Sequence, residues 1–219
     1  MWRSLKCLGV EQRMRFQSTN WQTAGAWVAR ILRTDFTAFE EIRSERSATV
    51  AAIVVVLVAS VLAGFGSWLW ALQHSEFRDI DGGEVFFKSL VLGSMVQTAV
   101  WLLWVYLVYQ VLARGYGAQV DFGELTRTMG FAFSPVALSI LIAITNLAVP
   151  FGVLSFGITL LFTNIAIQQT AGTDARETTL ANLTGFGAFV IVMGVFANIA
   201  EVGTFGGIAP GVLFFSLDL

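Results

Sequence analysis

Residues able to act as bases, nucleophiles or metal ligands are scarce in this chain. Among its 219 residues there are one histidine, His74, and one cysteine, Cys7. An intrachain disulfide needs two cysteines, and a protein zinc site needs several cysteine or histidine ligands. The chain also contains no HExxH, GxSxG, phosphate-loop or dinucleotide-binding motif. We therefore predict no catalytic residues, no metal site and no cofactor, and we expect that the protein is not an enzyme.

Uncharged polar residues and prolines within long apolar stretches are the remaining candidates for a functional site. They are Gln97, Pro135, Asn146, Pro150, Asn164 and Gln168. Pro135 cannot donate a helical hydrogen bond, so the carbonyl of Phe131 loses its usual partner, and Asn164 is a candidate to replace it. We interpret all six as groups for bonding or bending helices. The alternative is that they line a polar path between helices.

The segments that must position these residues are long and apolar. The chain is 56% hydrophobic and only 13% charged, about half the charge of a typical soluble domain. Four uncharged blocks lie between Ala48 and Ala200, and a bilayer core requires about 20 residues of helix. The block from Thr128 to Thr173 is long enough for two helices, with the turn at 146–150 because a residue that precedes proline avoids the helical conformation.

We therefore predict an all-α integral membrane protein, a bundle of five transmembrane helices that follows an N-terminal segment over residues 1–47. The predicted spans are about 48–72, 89–113, 129–145, 151–169 and 179–200. Asp121, followed three residues later by Glu124, indicates a helix start. Small residues repeat on one face of the first span, where they would let another helix approach closely. These packing residues are Ala59, Ala63, Gly64 and Ser67, and we assign the same role to Gly185 and Gly187.

Residues 24–43 predict one amphipathic helix ahead of the first span. Trp27, Leu32, Phe36 and Phe39 belong to its apolar face, and basic residues lie mostly on the other side. A Trp/Phe face beside basic residues is typical of a helix that lies in the membrane interface. The alternative is a helix packed against the ends of the spans, and the two arrangements can coexist. Cys7 lies in a basic, amphipathic start that would suit S-acylation, although an unmodified thiol is the preferred interpretation.

The distribution of positive charge predicts the orientation in the membrane. Eleven of the thirteen Lys and Arg residues fall on the side that contains the N-terminus, and only Arg78 and Lys88 fall on the other. Loops rich in Lys and Arg stay in the cytoplasm. We therefore expect a cytoplasmic N-terminus and, after five crossings, an external C-terminus.

Three segments together resemble the Yip family, membrane proteins named for binding Ypt/Rab GTPases, and in particular its prokaryotic branch. They are ILRTDFTAFEEIRSERSATVAAIVVVLVASVLAGFG, DFGELTRTMGFAFSP, and a VPFG turn whose span ends in Gln168 and Gln169. The resemblance implies a compact five-helix domain with a cytoplasmic N-terminus, located in a bacterial inner membrane. It carries over no catalytic site. The chain lacks the DLYGP-type motif of eukaryotic members, so no GTPase partner is expected.

These features favour a non-catalytic membrane scaffold, adaptor or accessory subunit of a membrane complex. Its expected partners are the lipid bilayer and other membrane proteins, or a second copy of itself, and no nucleic acid. The alternative is a small-solute or ion transporter or channel that uses the polar residues above. A coupled transporter usually carries an ionisable group within the membrane, and none is visible deep in the predicted spans.

Overall fold

The computed structural model describes residues 21–73 and 82–199, and these ranges contain helices and no strand. His74 and Cys7 lie outside the described residues, as does the end of the chain after Ile199. The helices are α1 (Trp21–Leu32), α2 (Ala38–Ser44), α3 (Ala48–Gln73), α4 (Gly82–Gly115), α5 (Phe122–Ala143), α6 (Ala148–Ala171) and α7 (Ala175–Ile199). The last five are long and apolar enough to cross a membrane. The predicted all-α fold with five spans is confirmed.

The helix α5, the third of the five long helices, begins at Phe122, seven residues before the predicted start of its span at residue 129. Asp121 caps its N-terminus, since its carboxylate accepts a hydrogen bond from the backbone N–H of Glu124 at 2.9 Å. Such a cap satisfies a backbone donor that the first helical turn would otherwise leave free. The helix start indicated by Asp121 and Glu124 is therefore confirmed, and α5 carries Arg127 inside its second turn.

The single amphipathic helix predicted over residues 24–43 is wrong. The segment folds as α1 and α2, and Thr34 between them adopts a φ of 64°. Asp35 causes the break, because its carboxylate accepts from the backbone N–H of Thr37 at 3.3 Å and from the Thr37 hydroxyl at 2.6 Å. A short side chain that bonds nearby backbone competes with the helical ladder. We call residues 21–44, with the turn, the head.

Pro135 changes the kind of helix within α5. The α-helical part ends at Ala132, and the ten residues Ser134–Ala143 form a 3₁₀-helix. A proline within a helix removes a backbone donor and clashes with the preceding turn, and 3₁₀ runs longer than three or four residues are uncommon. The turn to α6 lies at 144–147, and Pro150 falls in the first turn of α6, where a missing N–H costs nothing.

The helix α3 is the element against which the others pack most closely. A Cβ atom on Gly130 of α5 would lie 2.7 Å from the Cβ of Ala52, and one on Gly66 would lie 2.6 Å from the carbonyl oxygen of Ser139. These two approaches show that α3 and α5 run parallel and touch along most of their length. The start of α4 contacts Gly64 of α3, and Trp101 and Trp104 of α4 contact Phe133 of α5, so α3, α4 and α5 all touch one another.

Candidate functional site

A row of hydroxyl groups runs along the buried face of α6. Ser155, Thr159, Thr163 and Thr170 are all buried, and each of these hydroxyls donates to a backbone carbonyl one turn earlier. The Ser155 hydroxyl also lies 2.7 Å from the hydroxyl of Ser139 on α5. Local bonding of this kind satisfies a hydroxyl within an apolar bundle without any outside partner. The row therefore provides a polar surface in the interior at little energetic cost.

Asn182 on α7 joins three helices by hydrogen bonds. Its side-chain oxygen accepts from the indole N–H of Trp104 on α4 at 3.1 Å. Its amide nitrogen donates to the carbonyl oxygen of Leu160 and to the hydroxyl of Thr163, both on α6 and both at 3.1 Å. Asn182 is 1% exposed, so these bonds replace solvent completely. A fully satisfied polar network of this kind specifies one packing of the helices.

Aromatic rings surround the Trp104–Asn182 bond. The Trp104 ring centroid lies 5.2 Å from that of Phe186 and 5.5 Å from that of Phe189. Gly185 makes room for the indole, since a Cβ there would overlap the ring of Trp104. Gly187 has nothing within 4 Å of its Cβ position. The packing role that we assigned to both glycines therefore holds for Gly185 and is wrong for Gly187.

The six predicted polar and proline positions do not come together at one place. Gln97 and Pro135 are buried, whereas Asn146, Pro150 and Gln168 are exposed at the ends of helices. Asn164 donates to the hydroxyl of Thr179 at 3.1 Å. Among the described residues the Asn164 side chain bonds α7 and makes no bond to the Phe131 carbonyl, so that proposed bond is wrong. The sequence analysis missed Asn182. Like Asn164, it is an asparagine within an apolar span, so the criterion that selected Asn164 would also have selected Asn182.

The four small residues proposed to pack on α3 are all buried. They are Ala59, Ala63, Gly64 and Ser67. A Cβ on Gly64 would lie 2.7 Å from the carbonyl oxygen of Ser89 and 3.0 Å from the Cα of Leu90. Both are backbone atoms of α4, in a π-helical turn that spans Phe87–Leu92. The small residues thus allow the two backbones to touch.

The apolar face of the head contacts protein. Trp27 is 8% exposed and its ring meets that of Phe131 edge to face at a centroid distance of 5.6 Å, and Phe39 is 1% exposed. Phe36 packs edge to face on Phe162 of α6 at 5.1 Å. Leu32, the fourth predicted interfacial residue, is 49% exposed. Of the two arrangements, which can coexist, packing of the head on the ends of the spans is present in the structure, and Trp27 is buried in that contact.

Polar bonds fix the two head helices to each other and to the bundle. The Arg30 guanidinium bonds the carboxylate of Glu41 at 2.8 Å, and the Trp27 indole donates to the same carboxylate at 3.0 Å. Arg43 pairs with Glu124 of α5 at 2.7 Å. Arg127, only 7% exposed, donates to the backbone carbonyl of Arg43 at 2.8 Å. A buried arginine without hydrogen-bond partners is costly. The bond to Arg43 therefore satisfies Arg127, and it joins the C-terminal end of α2 to α5.

The family of the chain follows from a match over nearly all of this structure. The family model of the Yip1 domain matches residues 29–215, a range that begins inside α1 and includes all five long helices. The chain belongs to the Yip1 domain family. The resemblance to Yip proteins is thereby confirmed. No curated protein and no solved structure matches the chain.

The Yip1 domain here is a multi-pass membrane domain, since the family is a membrane family and five apolar helices of sufficient length are present. Among the described residues of this Yip1 domain, no group of three or more His, Cys, Asp or Glu side chains could hold a metal ion. Apart from Arg127 near the start of α5, the buried polar side chains in the described part of the Yip1 bundle are hydroxyls, amides and indoles, which are suited to bonding helices or uncharged molecules.

Acid should loosen the head of this Yip1 domain. Hydrogen bonds from Arg30 and then from Trp27 hold the pKa of Glu41 below its ordinary value, and bonds from the Thr37 hydroxyl and then from Arg30 lower the pKa of Asp35. A lowered pKa stabilises the fold at every pH above the ordinary carboxyl value, roughly 4. That contribution is lost as pH falls through the lowered pKa.

We expect the amides of α2 to exchange hydrogen faster at pH 3 than at pH 6, after correction for the intrinsic rates, in a mass-spectrometric measurement. The matched variant Glu41→Gln removes one titrating partner, so its exchange should be faster already at pH 6 and should respond less to acid. An identical acid response in Glu41→Gln would contradict the assignment of the effect to this carboxylate.

Proposed function

We propose that this Yip1-domain protein is a non-catalytic scaffold, adaptor or accessory subunit that holds partner membrane proteins through its head side. The observation that carries the proposal is the docked head. Its Trp27 and Phe36 rings pack on α5 and α6, and these contacts hold the head against the bundle. A charged surface in a fixed position is suited to selecting a partner by complementary charge.

The outward surface of this end of the bundle is charged. Its exposed members with neither an ion pair nor a side-chain hydrogen bond among the described residues are Arg33, Glu40, Arg46, Arg114, Asp174 and Arg176. The bonds from Arg43 to Glu124 and to the carbonyl of Gln169 bring the head, the start of α5 and the end of α6 to the same end. We call these six residues the head-side charges.

The orientation and location belong to the same proposal. The head-side charges include four arginines, and positive residues are retained in the cytoplasm. We therefore place the head in the cytoplasm and the C-terminus outside, in the inner membrane of a bacterium. The expected partner is another membrane protein or a second copy of the chain. The missing DLYGP-type motif is the reason why we do not propose a GTPase.

A site-specific crosslink tests the proposal. A photoreactive residue at Glu40, illuminated in native membranes, should give a discrete protein adduct, because Glu40 is exposed on the head. The same residue at Ile191, which is 67% exposed on an apolar part of α7, should react with lipid. The double variant Arg33→Glu with Arg46→Glu should lose most of the Glu40 adduct. No adduct from Glu40, or one unchanged by the charge reversals, would count against the scaffold.

The transporter alternative makes a different prediction. It requires a solute flux in proteoliposomes that depends on the interior polar groups, whereas the scaffold requires none. The aromatic rings packed around Trp104 and the outward positions of Asn146 and Pro150 support the scaffold. A flux abolished by Asn182→Leu in a protein that remains folded would favour the transporter.

A further inference from the structure

Five buried polar side chains in the bundle have no hydrogen-bond partner among residues 21–73 and 82–199. They are Ser60 on α3, Ser94, Gln97 and Trp101 on α4, and Ser134 on α5. Each is more than nine-tenths buried, and Gln97 is completely so. Both the oxygen and the nitrogen of the Gln97 amide are unpartnered. Most buried polar groups in proteins have a partner, and an unsatisfied one needs an explanation.

The crossing of α3 and α4 brings three of these residues to one place. Trp68 bonds the carbonyl of Gly82, and Gly64 lies against Ser94, whose hydroxyl would be 3.2 Å from a Cβ on that glycine. The two helices are therefore antiparallel. Ser60 is one turn from Gly64 in the direction of the head, and Gln97 is one turn from Ser94 in the same direction. The serines of both helices and the Gln97 amide thus share this crossing.

The helix α5 closes the other side of the same region. The ring centroids of Trp101 on α4 and Phe133 on α5 are 6.4 Å apart. Ser134 is the next residue after Phe133 in the sequence. On α4, Trp101 is one turn beyond Gln97 and on the same face. The five side chains therefore lie between α3, α4 and α5, about midway along the bundle. We call this group the Gln97 cluster.

The backbone on both sides of the Gln97 cluster departs from the α-helix. A π-helical turn, Phe87–Leu92, leads into it along α4, and the 3₁₀-helix Ser134–Ala143 begins at it on α5. π-helical turns occur frequently at functional sites. In a membrane, irregular backbone is tolerated where it is buried in protein or lines a cavity that contains water.

The chemistry of the cluster defines what can bind. The Trp101 indole can only donate, the Gln97 amide can donate and accept, and the serine hydroxyls can do either. None of the five carries a charge, so an ion would be left without a counter-charge. The bound molecule must be small and neutral and must both accept and donate hydrogen bonds. We propose that the Gln97 cluster is a hydration site that binds water in the middle of the membrane-spanning bundle.

The neighbouring tryptophan provides an internal control. Trp104 is on the same helix, less than one turn away, and is equally buried, but its indole N–H is bonded to Asn182. In the full chain with ¹⁵N-labelled tryptophan, the indole proton of Trp101 should therefore exchange magnetisation with water in an NMR experiment. The indole proton of Trp104 should not. Trp101→Phe and Trp104→Phe assign the two signals. If the indole protons of Trp101 and Trp104 both exchange magnetisation with water, or if neither does, the proposal is overturned.

A stability measurement distinguishes a hydrated amide from one that is merely unsatisfied. If Gln97 holds water, Gln97→Leu should lower the unfolding midpoint in detergent, because the other four groups lose a bonded ligand. If Gln97 binds nothing, the same change removes a buried orphan group and should raise the midpoint. A raised midpoint would therefore contradict the hydration site. The water signal of wild-type Trp101 decides the matter if the variant does not fold.

Discussion

Replacing Asn182 with leucine is expected to destabilise the bundle by about 2–4 kcal/mol, because it leaves the buried indole N–H of Trp104 without a partner and removes two further hydrogen bonds. Those two bonds run to the carbonyl of Leu160 and the hydroxyl of Thr163. The unfolding midpoint in mild detergent should fall by about 5–10 °C, as expected for a domain of this size. A midpoint within about 2 °C of wild type would mean that the three bonds contribute little.

Asn164→Leu is the matched control for this change. Asn164 is half-buried; within the described part of the chain it makes one side-chain bond, to Thr179, and its side-chain oxygen has no partner there. Its loss should cost below about 1 kcal/mol, the net value of a single ordinary hydrogen bond. Equal losses for Asn182→Leu and Asn164→Leu would show that the network has no special role and that any asparagine in these spans is worth the same.

Gly66→Ala is expected to destabilise the protein by about 3 kcal/mol, near the upper end for overpacked interiors. The new Cβ would lie 2.6 Å from the carbonyl oxygen of Ser139, 2.7 Å from the Cα of Ile140 and 2.9 Å from the carbonyl oxygen of Ile140. All three atoms belong to the backbone of the 3₁₀ part of α5. A backbone in contact with other helices cannot rotate away as a flexible side chain can, so α3 and α5 must separate.

Gly157→Ala should act in the opposite direction. Gly157 lies within α6 and has nothing within 4 Å of its Cβ position. Alanine is favoured over glycine in a helix interior by about 1 kcal/mol, so this change should leave stability unchanged or increase it slightly. The two variants can be compared by thermal unfolding in the same detergent. Similar effects of Gly66→Ala and Gly157→Ala would contradict the close contact between α3 and α5.

Local features of the sequence were enough to predict several elements. The number and type of the long helices followed from the lengths of the uncharged apolar blocks, because an apolar block of about 20 residues matches the thickness of a bilayer. The start of α5 followed from Asp121 and Glu124, whose bond lies within one turn. The turn at Thr34 was within reach of the same reasoning, since Asp35 and Thr37 form it between them, but the continuous apolar face obscured it.

The candidate site depended on contacts between residues far apart in the chain. Trp104 and Asn182 are 78 positions apart, and nothing near either of them distinguishes this pair from Asn164 and its surroundings. Gly66 and Gly157 likewise stand in similar apolar sequence, yet one touches backbone and the other faces open space.

The sequence by itself determined that this protein has five long apolar helices and that it belongs with the Yip proteins. Only the tertiary structure decided which side of each helix faces its neighbours. In a soluble helix the polar face marks the outside, but lipid is as apolar as the bundle interior, so hydrophobicity does not distinguish the two faces of a spanning helix. The inner face is identified by contacts such as that of Gly66 with the backbone of α5 and the bond of the Asn182 amide to the Trp104 indole. Both contacts depend on how separate helices pack.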